Sequence, residues 1–496
     1  MAAVLGQTAA RLPLPHRDVF KTKPILNKNE IMETPSSNER LISKVWIQAV
    51  ALVMLFGFFV MGLLAYYTYT QQPPIPARVV DANGATLFTG SDITAGQELF
   101  LKNGLMEYGS IFGHGAWLGP DFTTDYLHRA AEISIDFYGG RLLDTARQQT
   151  IIDAKTNLYN AASGVLTYSS AQADAFQKLT AYYGSFFGEP TTKFGLRPKA
   201  ISDPQQIRQL TAFFSWSAWA ASTLRPEKDF SYTNNWPPES LVANHPTAET
   251  VLWSVLSLIA LLGGIGILLA AFGRWNFLGW HGREEQAIRF RPPDEVTLTP
   301  AQRSCAWFFF VMALLFTAQV FAGGAAEHYR AEITNFFGFD LARILPFNLA
   351  RTWHLQLALF LVATSYLATG IFIAPMITGR EPRGQGLLSY LLVGALALVV
   401  FGSMAGEFAG VHGWIQQGWS WFGHQGFTFL DLGRFWQILL TIGMFFWVVI
   451  IFRGLRNRLQ TERMGHMPWL FFFSALSIPA FYAVGLLVHT NSHFTT

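Results

Sequence analysis

Seven apolar runs, each long enough to cross a hydrocarbon layer of about 30 Å, constrain this chain more than any other feature. They fall near residues 44–70, 249–273, 304–325, 350–377, 387–408, 433–452 and 467–488. Inside lipid a segment must satisfy its backbone hydrogen bonds internally, so each run is predicted to be a helix. Composition agrees, since 51% of residues are apolar and 14% charged, the balance of a mainly α membrane protein. A formal charge of +3 gives no reason to expect a nucleic-acid partner.

Charges between the runs predict topology. Residues 1–43 are polar and mixed in charge, read as a cytoplasmic tail in which Met32 is an alternative start. Arg274, Arg283, Arg289 and Arg291 mark residues 274–301 as a cytoplasmic loop. Arg380 with Arg383, and Arg453 with Arg456, Arg458 and Arg463, mark two more, as the positive-inside rule asks. Residues 71–248 are then extracytoplasmic and long enough for a core of their own. Residues 302–496 hold the last five runs.

Of the twelve histidines, His354 is the one placed well inside a run. An ionisable or metal-binding side chain is costly there and is a functional hypothesis by default. Facing a bundle interior, one imidazole is what a haem iron needs as an axial ligand; a neutral histidine hydrogen-bonded to the next helix is the plainer reading. It is expected about one turn in from a Trp-marked end of its run. The single Cys305 excludes a disulfide and covalent c-type haem attachment, and is expected in the core of a span. Gly394, Gly402, Gly406 and Gly410 recur on one side of a helix, which suits close packing. Glu407 in that run is expected to pair with an arginine or to lie on a proton path, pairing being favoured. The Trp- and Gly-rich stretch from Val411 to Phe429 is predicted to rest on the membrane interface.

Just beyond the third run, His328, Glu332 and Phe336 recur every four residues and share one face if helical. An imidazole, a carboxylate and a ring at headgroup level could grip a quinol and accept its protons. A solvated helix lying in the interface is the competing reading.

The chain resembles the quinol-dependent nitric oxide reductases, relatives of the haem-copper oxidases. The likeness is carried by GLMEYGSIFGHGAWLGPD from Gly104 to Asp121, FSYTNNWP from Phe230 to Pro237, HYRAE from His328 to Glu332, RTWHLQ from Arg351 to Gln356, GREPRGQG from Gly379 to Gly386 and MPWLFFF from Met467 to Phe473. It implies two helices flanking an extracytoplasmic cytochrome c-like domain, followed by the first five helices of a haem-copper oxidase-type bundle in a bacterial inner membrane. It also implies that His354 is an axial ligand of a low-spin haem b, and that His328, Glu332 and Phe336 form the chain's share of a quinol pocket. In the cytochrome c-like domain Leu105, Tyr108 and Gly109 stand where two cysteines and a histidine would hold haem c. A calcium ion near the haem propionates is a further implication, with Tyr108 and Gly109 as contacts, but Thr428 stands where a glutamate is expected.

The resemblance implies a reaction in which two nitric oxide molecules, two electrons and two protons give nitrous oxide and water, using a second haem b and a non-haem iron. The helices carrying those ligands would follow Thr496, so a C-terminally shortened chain inactive by itself is expected. His489 and His493 are expected to be polar residues outside the membrane rather than ligands. A non-catalytic haem b or quinone-binding protein completed by another chain is the alternative reading. Oxygen reduction stays open, a transporter lacks the matching broken helices it would need, and a homo-oligomer is left open.

Overall fold

The computed structural model describes residues 44–139, 144–188, 195–275, 297–331, 338, 340–428, 431–456 and 467–488. Everything that follows concerns those residues within the compact unit Arg40–Thr496. Seven helices are long and apolar enough to span a membrane: α1 (Lys44–Gln71), α7 (Ala248–Arg274), α8 (Pro300–Ala331), α9 (Phe347–Thr378), α10 (Gln385–Val411), α11 (Arg434–Leu455) and α12 (Met467–Val488). Their mainly helical, multi-pass architecture is the one expected.

Between α1 and α7 lies a head domain built from α2 (Gly90–Lys102), α3 (Phe122–Phe137), α4 (Asp144–Lys155), α5 (Ser170–Gly188) and α6 (Pro204–Ser222). Sequence sets the helix starts. Thr89 and Asp92 cap α2 reciprocally, the Asp121 side chain accepts from the Thr124 amide to start α3, and Pro204 follows the Asp203 cap of α6. Each such cap satisfies amides that have no partner within the helix. A small sheet closes one side: β1 (Arg78–Val80) pairs antiparallel with β2 (Thr86–Thr89) and parallel with β4 (Val165–Thr167), which pairs antiparallel with β3 (Tyr159–Asn160).

Helix α6 is the centre of the head domain, for every residue from Leu210 to Ser222 is buried, the mark of a helix packed on all sides. Phe214 stacks on Phe122 with ring centres 4.6 Å apart, and Phe100, Tyr183 and Phe187 close around them. Each such ring contributes roughly 1.5–3 kcal/mol by leaving water.

In the membrane part α8 and α9 pack along one another, and α1 joins through Phe58, whose ring stacks on Phe481 of α12 at 4.3 Å. Helices α1 and α7 bury nothing of their most apolar windows, so their surfaces suit lipid. Three of the four glycines that recur on one side of α10 lie at close approaches. A Cβ on Gly402 would strike Trp436, one on Gly406 the Phe422 carbonyl, and one on Gly410 the His424 ring, whereas Gly394 faces open space.

Candidate functional site

Helix α9 begins at Phe347, earlier than the apolar run suggests, because Phe347 and Asn348 are covered rather than wetted. His354 therefore sits about 10 Å, or two turns, inside the helix, not one turn. Its half-buried ring lies over α8 rather than open to a bundle interior. The Nδ1 atom is 2.9 Å from the Gln319 carbonyl oxygen. A carbonyl can only accept, so Nδ1 carries the proton and the lone pair is on Nε2. The Gln319 side-chain amide nitrogen lies between the two ring nitrogens, 3.2 Å from Nδ1 and 3.3 Å from Nε2, and as a donor it can give its proton to Nε2 only. Gly323 makes room for the ring, since a Cβ there would come within 2.5 Å of Nδ1. An imidazole fixed through Nδ1 by a carbonyl is arranged as metal-ligating histidines are, and its Nε2 would have to exchange the Gln319 amide for the metal. The residues present fit an axial haem ligand.

His328 lies in the last turn of α8, half-buried, its ring 5.8 Å from that of Tyr329. It follows Gly323 by five residues, about 7.5 Å along the helix and about 140° around it. Thus α8 brings His328 and His354 near one another along its axis, but not to the same face. Glu332 and Phe336 lie outside the described residues, as do His489 and His493. Tyr329 anchors the end of α8, donating its hydroxyl to the Leu345 carbonyl at 2.6 Å and meeting Phe347 edge-on.

Glu407 departs from expectation. It is fully buried, and among the described residues no arginine reaches its carboxylate, whose polar neighbours are Gln356 and Trp353, so the arginine pairing is not formed. Arg351 pairs with Glu107 of the head domain. The stretch after α10 also does more than rest on an interface. Trp414 is exposed, but Trp419 and residues 423–428 fold inward and are buried. They carry His424, whose Nδ1 is 3.4 Å from Asp431 Oδ2. Asp431 Oδ1 accepts from three successive backbone amides, Gln425, Gly426 and Phe427. His424, Asp431 and Glu107 were not singled out from sequence. The one available signal was the spacing of Gly406 and Gly410, which need a close partner and receive this loop.

In the head domain Leu105 and Tyr108 are fully buried. A Cβ on Gly109 would fall 2.4 Å from the Pro120 carbonyl oxygen and 2.9 Å from the Phe122 ring. Aromatic packing fills the surroundings of these three positions. Cys305 is buried in α8, its Sγ 3.4 Å from the Ala301 carbonyl.

Two family models match the two parts of this architecture. Residues 76–238, the head domain, match the NorB cytochrome c-like domain of nitric oxide reductase. Residues 303–496, from α8 onward, match cytochrome c and quinol oxidase polypeptide I. The chain belongs to the NorB-type nitric oxide reductases, within the haem-copper oxidases. No curated protein matches it. Membership makes it a multi-pass membrane protein of an oxidoreductase family whose members bind haem and metal.

Proposed function

We propose that this chain is the quinol-oxidising, haem b-binding part of a nitric oxide reductase. The observation that carries this reading lies in the head domain. It matches a cytochrome c-like model, yet Leu105, Tyr108 and Gly109 are built into an aromatic core and the chain's one cysteine is in α8. A domain of that ancestry without a covalent haem cannot relay electrons from a soluble cytochrome, so electrons enter from within the membrane.

His354 would hold haem b, which would supply one-electron transfer when bound. The protein's own part is to hold the imidazole by Nδ1 against the Gln319 carbonyl and to place His328 at the end of the same helix, where it hydrogen-bonds a quinol hydroxyl and takes a proton. Glu332 and Phe336 complete the quinol site in this reading. The overall reaction joins two nitric oxide molecules with two electrons and two protons to give nitrous oxide and water. The second haem b and the non-haem iron of that reaction are assigned to no residue here. The head domain faces outward from a bacterial inner membrane and the N-terminus lies in the cytoplasm, following the arginine-bearing loops.

The test is electron entry. The full chain in lipid nanodiscs, loaded with haem, is mixed with a short-chain quinol or with reduced soluble cytochrome c. Haem reduction by the quinol only is expected, slowed roughly 100-fold by His328→Ala. Reduction by the cytochrome and not by the quinol overturns the proposal.

A further inference from the structure

The first two turns of α9 are held from the head domain at two points one turn apart. Asn348 Nδ2 donates to the Asn103 carbonyl at 3.0 Å, and Gly104 leaves no room for a side chain beside Asn348. Arg351 then gives Nη1 to Glu107 Oε2 and, at 3.2 Å, to the Thr428 carbonyl. His354 follows one turn later on the same helix. Glu107 is 1% exposed and its other oxygen has no hydrogen-bond partner. A carboxylate so far from water requires a cation beside it.

The family resemblance implies calcium here, and calcium asks for six to eight oxygen ligands. The residues present do not fit it. The Tyr108 and Gly109 carbonyls each accept one amide hydrogen bond, from Gly119 and Ala116 at 2.8 Å, which leaves at most two carbonyl ligands from this turn. The Tyr108 hydroxyl stays protonated, because burial, then Tyr182, push its titration well above the usual phenol range. Thr428 offers a carbonyl that faces Arg351. Among the described residues no group of three or more His, Cys, Asp or Glu side chains could hold a metal ion.

We propose that the Arg351 guanidinium takes the place of a divalent cation at this joint, and that Glu107 acts through it as the positioning residue for His354. The second half rests on His354 binding haem, while the first stands without it. Removing either charge frees the start of α9 from the head domain and lets the imidazole shift over Gly323. An internal guanidinium makes the joint indifferent to calcium, sensitive to the loss of either charge alone and tolerant of exchanging the two charges together.

Hydrogen exchange of the full chain in nanodiscs tests the joint, read at residues 349–357. In the wild type, exchange should be the same in EGTA and in millimolar calcium chloride. Glu107→Gln and Arg351→Gln should each speed it roughly 100-fold, and the double reversal Glu107→Arg with Arg351→Glu should recover most of the loss. Calcium-dependent protection of the wild type, single variants without effect, or a double reversal as fast as the singles combined each overturns the guanidinium assignment. Positioning is read separately from haem: Glu107→Gln should retain haem but move its midpoint potential and absorption maximum, and an unmoved potential and spectrum overturn that half. Haem retained by His354→Ala would remove the haem reading and leave the exchange result to judge the joint alone.

Discussion

The His354 imidazole donates from Nδ1 to the backbone carbonyl of Gln319, 2.9 Å away across the α8–α9 contact. That one bond fixes the tautomer and the ring plane, and it comes from backbone, so it survives changes of the Gln319 side chain.

His354→Ala should abolish the reduced haem b absorption band of the full chain. Gln319→Ala should keep it, because the accepting carbonyl remains. Gly323→Ala should weaken or shift it, since the new methyl would sit within 2.5 Å of Nδ1 and push the ring aside. Spectra of the three purified variants decide; a band unchanged in Gly323→Ala contradicts the geometry.

The head domain's core leaves little room where haem c would attach. Phe122→Ala should cost about 3–5 kcal/mol of head-domain stability, and Gly109→Ala about 1–3 kcal/mol through overpacking against Pro120. The triple replacement Leu105→Cys, Tyr108→Cys, Gly109→His, expressed with cytochrome c maturation machinery, should remain without covalent haem on a denaturing gel stained for haem peroxidase activity. A stained band would show that the core can open.

Glu407 carries two buried oxygens without partners, so Glu407→Leu should stabilise the bundle by about 1–3 kcal/mol, read as a higher unfolding midpoint in detergent. A lower midpoint would mean that the carboxyl is engaged in the folded protein.

Lys155 gives the head domain a pH signature. Burial lowers its ammonium from 10.5 to about 8, with Nζ donating to Asn244 Oδ1 at 2.7 Å. Between those two values the unfolded chain binds more protons than the folded one, so stability rises with pH and levels off above the upper value. As pH falls through the lower value, the gain is lost. Proteolysis of the head domain at a series of pH values should show this slope, and Lys155→Gln should flatten it.

The seven spans were legible in the sequence because apolar length is a local property that lipid reads directly. His354 stood out for the same reason, as a costly side chain inside one of them. Sequence also excluded covalent haem, since a single cysteine is a matter of counting. Tertiary structure decided the rest. Glu107 lies in a short turn of the head domain, and nothing nearby in sequence marks it as the partner of Arg351, 244 positions away. His424 and Asp431 sit in a stretch whose Trp and Gly content suits an interface, and only the glycine-lined side of α10 draws them inside. The arginine favoured for Glu407 is not found beside it among the described residues. A residue's need for a partner shows in its own chemistry, but which partner it finds depends on how distant segments pack, and no local pattern records that.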